Sequence, residues 1–144
     1  MCLTMKDHCD TMENKTRRIA IIDDDSNWLS CIKELYEEKK VEADIYRYPQ
    51  QHDDFLEHMR DYTHILIDHR LGGTNGANVA RNVLASGVHA HVFIITGQMD
   101  EAFKGYKMYL QKSTIVEHPE VIFDTQLDEY DMCVEATILR KTEI

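Results

Sequence analysis

Three kinds of side chain in this sequence could do chemistry together: a run of carboxylates at Asp23, Asp24 and Asp25, a separate carboxylate at Asp68, and a hydroxyl and an amine at Thr96 and Lys112. Each follows a short strand-like run: Ile19 to Ile22, Ile65 to Ile67, Val92 to Ile95, and Met108 to Gln111. In an open parallel sheet, sites form outside the carboxyl ends of the strands, which is where these residues would be delivered. Several carboxylates at one sheet edge repel one another and raise each other's pKa unless a divalent cation and an ammonium group balance them. That chemistry implies a hard cation. Mg2+ fits best, because it is usually held by one or two carboxylates together with waters and phosphate oxygens.

The elements that must position these groups alternate along the chain. Residues 1 to 16 are polar, lack apolar periodicity and read as a flexible leader, so residues 17 to 144 are expected to form a single domain. Ile19 to Ile22 is uniformly apolar, as suits a central parallel strand covered on both faces. Asp25 or Ser26 can cap a helix whose apolar face is Leu29, Ile32 and Leu35. Ala43 to Tyr48 alternates like an edge strand and Pro49 stops it. Phe55, Leu56 and Met59 mark a second helix, and His64 to Ile67 a second buried strand ending at Asp68. A flexible turn from Gly72 to Gly76 leads into a helix carrying Val79, Ala80, Val83 and Leu84, closed by Ser86 and Gly87. Val92 to Ile95 is the fourth strand. Met99 to about Tyr106 is expected to be a helix of about two turns, and Met108 to Gln111 a short fifth strand ending at Lys112. Phe123, Leu127, Tyr130, Val134 and Ile138 are spaced as the stripe of one final helix lying on the sheet. The pattern is (βα) repeated five times, an α/β fold with no linker to a second domain.

Composition narrows the function classes. The chain has 144 residues, 43% of them hydrophobic, enough for one core. A formal net charge of −10 sets the surface against phosphate backbones and anionic lipid, so neither direct nucleic-acid nor membrane binding is expected. The apolar runs are too short to span a bilayer and the N-terminus lacks the apolar core of a signal peptide, which leads us to expect a soluble cytoplasmic protein. The 4 cysteines, Cys2, Cys9, Cys31 and Cys133, include no C-x-x-C pair and are expected to be reduced thiols. His89-x-His91 would set two imidazoles on one face of a strand, but no further nitrogen or sulfur ligands are apparent nearby, and the pair reads as polar residues flanking a strand. Trp28, early in the first helix, reads as packing or a partner contact.

The set of carboxylate pair, central Asp, hydroxyl and Lys on successive strand ends resembles the receiver domain of two-component response regulators, of the chemotaxis type. The residues that carry the resemblance are Ile21-Ile22-Asp23-Asp24-Asp25-Ser26, Ile65 to Asp68 with the loop His69 to Gly76, Val92 to Gly97, and Tyr109 to Lys112. It covers Arg18 to about Ser113. It implies a flavodoxin-like (βα)5 three-layer sandwich whose five parallel strands, counted one to five along the chain, lie in the order 2-1-3-4-5. It also implies that Asp68 is the phosphoacceptor, taking a phosphoryl group from a histidine kinase or a histidine phosphotransfer protein in a phosphorelay. A carboxylate is a competent nucleophile for this, and the acyl phosphate stores the group in labile form. By the same resemblance Asp23, Asp24, Asp68 and the Arg70 backbone carbonyl would hold Mg2+, Lys112 would pair with Asp68 and then with a phosphoryl oxygen, Thr96 would act as catalytic hydroxyl and switch, and Tyr109 would be the switch aromatic. Arg70 and Gln98 fall where family members tune hydrolysis of the acyl phosphate. Output would run through contacts with a downstream protein target; a homodimer is compatible with this reading. The domain would not be an enzyme in the turnover sense, beyond its own phosphorylation and dephosphorylation.

Two positions and one spacing depart from the family pattern. Gly72 stands where Pro is usual and is expected to loosen the loop; Ser113 replaces the Pro after Lys112, so the bond there is expected to be trans, placing the reach of Lys112 in question. Thr96 and Lys112 are only 16 positions apart, so the fourth helix is shortened. These departures suit a pseudo-receiver that acts as an unphosphorylated binding module. A small haloacid-dehalogenase-like phosphatase can also be assembled, from Asp23, Asp25, Thr96, Lys112, Asp124 and Asp128. Val121 to Phe123 separates the readings: strand for the phosphatase, helix for the receiver.

Overall fold

A computed structural model describes residues 17–143; residues 1 to 16, expected to be a leader, and with them the cysteines at 2 and 9, lie outside the described residues. The five expected strands, β1 (Arg18–Asp23), β2 (Glu42–Arg47), β3 (His64–Asp68), β6 (His91–Thr96) and β7 (Tyr109–Gln111), form one parallel sheet in the order β2-β1-β3-β6-β7. Between β3 and the following helix runs a two-stranded antiparallel ribbon, β4 (Arg70–Leu71) with β5 (Thr74–Asn75). Counting only the strands of the main sheet, this is the 2-1-3-4-5 order of a flavodoxin-like α/β fold. Strand β1 pairs with both β2 and β3, and β3 with β6, so β1 and β3 lie inside the sheet with Ile19 to Ile22 and Ile65 to Ile67 fully buried. That double burial is why these runs carry no polar alternation.

Helix α1 (Ser26–Glu38) begins at Asp25, whose carboxylate accepts from the backbone N–H groups of Asn27 and Trp28 and so satisfies two of the free donors at the helix start. It buries Leu29, Ile32 and Tyr36. Helix α2 (His52–His58) continues into a 3-10 turn at Met59–Asp61 and buries Phe55. Helix α3 (Gly76–Ala85) is capped by Asn75, which accepts from the Asn78 N–H at 3.0 Å, and it buries Val79, Ala80 and Val83.

Beyond β6 the chain departs from its expected course. The two-turn helix expected over Met99 to Tyr106 is a single 3-10 turn, Glu101–Phe103, started by the Asp100 carboxylate and anchored by buried Phe103. A parallel crossover needs about a dozen residues, and Gly97 to Met108 leaves no length for a full helix as well as the two connections to it. Helix α4 (Lys112–Glu117) starts directly after β7, and α5 (Val121–Asp124) follows, so the segment that separates phosphatase from receiver is helical.

The single stripe expected for the tail is divided. Phe123 lies on α5, Leu127 is buried in the connection, and α6 (Glu129–Glu143) packs on α3 and buries Met132 and Ala136. Tyr130, Val134 and Ile138 are 76%, 37% and 37% exposed. The break between Asp124 and Glu129 resets the helical phase, so spacing measured across it does not describe one face.

Candidate phosphoacceptor site

Strand β1 ends at Asp23, and the chain turns at once into α1. The Asp25 N–H donates to the Asp23 carboxylate at 3.0 Å, while the Asp25 carboxylate caps the helix, so the acidic run is held by its own local hydrogen bonds. Strand β3 ends at Asp68, which pairs in register with Ile95 of β6. The chain leaving Asp68 is tightly constrained: the His69 N–H donates to the Ile95 carbonyl at 2.7 Å, and the Gly76 N–H donates to the His69 carbonyl at 2.8 Å. Position 76 requires glycine, because a Cβ there would lie 2.1 Å from the Asp68 carbonyl oxygen. Gly72, with φ of +67°, lets the ribbon reverse through the two-residue turn Gly72-Gly73. At the Pro-to-Gly departure the chain makes a hairpin turn next to buried Leu71.

These elements bring Asp23, Asp24, Asp68 and Lys112 together. One carboxylate oxygen from each aspartate lies within 4.8 Å of the other two. Lys112 Nζ stands 2.7 Å from Asp23 Oδ2 and 3.2 Å from Asp68 Oδ1. The Lys112–Ser113 bond is not among the cis peptides, and the lysine reaches the site nonetheless because it opens α4 beside the strand ends. The side chain of Asp23 is wholly buried and that of Asp68 is 10% exposed.

Burial and the negative charge of Asp23 push the Asp68 carboxyl up to about 7 against the pull of Lys112. Burial likewise raises Asp23, opposed by Lys112 and the Asp25 N–H. For Lys112 burial acts downward, but pairing with Asp23 and Asp68 outweighs it and holds the ammonium above its ordinary value. One ammonium thus faces two buried carboxylates with a third, Asp24, beside them. The excess negative charge and the all-oxygen donor set fit a hard divalent cation.

The other expected site residues are Thr96, Arg70 and Tyr109. The Thr96 hydroxyl donates to the Gln98 carbonyl at 3.1 Å and accepts from the Gln98 N–H at 3.3 Å, so it closes its own turn at the end of β6. Arg70 lies on β4 with its side chain exposed. Tyr109 is buried, stacked on Phe103 with centroids 4.5 Å apart and edge-on to His69 at 5.3 Å. Where a longer helix was expected there is an open cleft of about 720 Å³, bordered by Arg70, Thr96 and Gln98 and by the His69, Phe103 and Tyr109 rings. Outside this region, His91 opens β6 and stacks on His64 with centroids 5.1 Å apart; the groups of three or more metal-capable side chains among the described residues reduce to the aspartate cluster. Cys31 and Cys133 are free thiols.

Sequence reasoning missed three neighbours: His69 and Phe103, which form the aromatic cluster with Tyr109, and Trp28, whose ring centroid lies 4.6 Å from Lys112 Nζ. A signal existed for Trp28, which falls one helical turn after the acidic run. None existed for the cluster.

No family model matches the sequence, and no curated protein matches it. Solved structures do match its fold. A CheY-like response regulator receiver domain protein from Methanospirillum hungatei is similar at 17% identity and a TM-score of 0.60, over 76% of this chain and 95% of that one. A CheY-like receiver domain from Methylobacillus flagellatus is similar at 22% identity and 0.60, over 76% and 98%. A response regulator from Burkholderia pseudomallei, described with a phosphorylated aspartic acid, calcium ion and citrate, is similar at 17% and 0.61, over 85% and 74%. The chain therefore has the fold of response-regulator receiver domains. Among the described residues no helix is long and apolar enough to cross a membrane.

Proposed function

We propose that this chain is a receiver domain that accepts a phosphoryl group on Asp68 from the phosphohistidine of a kinase or phosphotransfer protein, and signals through protein contacts in the cytoplasm. The observation that carries the reading is the placement of Lys112 Nζ against both Asp23 and Asp68, with Asp24 completing a three-carboxylate cluster. In the transfer, an Asp68 oxygen forms a bond to phosphorus as the bond from phosphorus to the donor imidazole nitrogen breaks and its electron pair leaves with the ring. An acyl phosphate results. Asp23, Asp24 and Asp68, with the Arg70 carbonyl, would hold Mg2+, which supplies charge neutralisation for the incoming phosphoryl oxygens.

The chain's own part is positioning and electrostatics. Lys112 neutralises one oxygen, and Asp23 keeps the ammonium in place when Asp68 is consumed. The added charge, roughly −1.5 to −2, is the stimulus to which the Thr96 turn and the Tyr109 cluster would respond.

Incubation with acetyl phosphate and Mg2+, followed by intact mass, tests the reading. Wild type gains one phosphoryl group and Asp68→Asn gains none. A wild type that stays unmodified would favour the unphosphorylated binding module.

A further inference from the structure

Lys112 is held on three sides. Two are the carboxylates of Asp23 and Asp68, and the third is the indole ring of Trp28, 4.6 Å from Nζ to the ring centroid. We propose that Trp28 is a positioning residue for Lys112, its ring acting as the fixed wall that keeps the ammonium over the carboxylates. This deepens the proposed function and rests on it for its kinetic consequence.

The placement of Trp28 is built from the acidic run itself. The Trp28 N–H donates to the Asp25 carboxylate at 3.2 Å, and the Asp25 N–H donates to Asp23, so one short chain of hydrogen bonds links the site carboxylate to the helix turn that presents the ring. The indole is half-buried and packs against the core, which limits its movement. Lysine, in contrast, is a point charge on a flexible stem and needs outside constraint. The backbone offers little, since Lys112 is the first residue of α4, a helix of 6 residues.

The ring differs from the carboxylates in one respect that matters. Asp23 and Asp68 are the groups a divalent cation draws on, and Asp68 loses its charge when esterified. Trp28 is not altered by either event. A cation over an aromatic face is attracted by the ring quadrupole, more strongly where water is largely excluded, and the Lys112 side chain is 18% exposed. The ring therefore keeps the ammonium from swinging to solvent when its ionic partners are engaged elsewhere.

The test compares Trp28→Leu, which removes the π face, with Trp28→Phe, which retains one. With acetyl phosphate and Mg2+ followed by intact mass, Trp28→Leu is expected to lower the maximal phosphorylation rate about tenfold without changing the half-saturating donor concentration, and Trp28→Phe to stay within about threefold of wild type. Melting curves of both variants confirm that each is folded at the assay temperature, and the rate comparison is made there. Equal rates in wild type and Trp28→Leu, or Phe failing as fully as Leu, would overturn the proposal. A second readout does not require phosphorylation: pulsed labelling with acetic anhydride and peptide mapping. Trp28→Leu should increase Lys112 labelling several-fold relative to the other lysines, and unchanged labelling would overturn the positioning role. If wild type takes up no phosphoryl group, the proposed function fails, and the labelling result alone decides whether Trp28 holds Lys112.

Discussion

Asp68→Asn should make the cation-free protein more stable at about pH 8. In the folded chain the Asp68 carboxyl is raised from 3.8 to about 7, first by burial and then by the charge of Asp23. A carboxyl whose folded value lies above its unfolded value costs no stability below about pH 4, where both states are protonated. The cost grows as the unfolded state alone loses its proton, and levels off above about pH 7. At about 1.4 kcal/mol per pH unit, the interval gives a cost on the order of 4 kcal/mol. Asparagine resembles the protonated carboxyl and escapes that cost. For a chain of this size, roughly 2 to 4 °C per kcal/mol predicts a rise in melting temperature of roughly 10 °C. The measurement is thermal denaturation of both proteins in EDTA at about pH 8 and about pH 4, each variant being compared with wild type at the same pH so that other titrations cancel. The gap should close at the lower pH, and at the higher pH Mg2+ should narrow it by stabilising wild type more. An Asp68→Asn protein no more stable than wild type at about pH 8, or equally stabilised at both pH values, would refute the account of a buried, undercompensated carboxylate.

Gly76→Ala should cost about 2 to 3 kcal/mol in urea denaturation, because its Cβ would meet the Asp68 carbonyl oxygen at 2.1 Å and force the backbone apart; unchanged stability would contradict that contact. Burial, with His91 and Arg17 adding to it, lowers the His64 imidazole to about 3. Its stabilising effect is therefore complete above about pH 6.5 and declines as the pH falls, by about 2 kcal/mol at about pH 5. His64→Leu should flatten that decline in urea midpoints measured across the same range.

What could be read from the residues alone was whatever depends on local pattern. Uninterrupted apolar runs such as Ile19 to Ile22 and Ile65 to Ile67 leave a buried parallel strand as the consistent reading, and the carboxyl ends of the strands then name Asp23, Asp68 and Lys112 as neighbours. The capping residues Asp25 and Asn75 were equally local, since each bonds within three residues of itself.

The rest depended on distances that no spacing encodes. Thr96 was expected to meet a phosphoryl oxygen; in the chain without one its hydroxyl satisfies the Gln98 backbone, a competition between turn and ligand that spacing does not resolve. Tyr130, Val134 and Ile138 share a helical stripe, but Met132 and Ala136 are the buried residues, because the direction of the chain leaving α5 sets which side of α6 meets the body of the protein. Trp28 looked like packing until Lys112, far along the chain, was placed beneath its ring. Pattern determines which residues want burial or a partner; only the folded chain decides which partner is within reach.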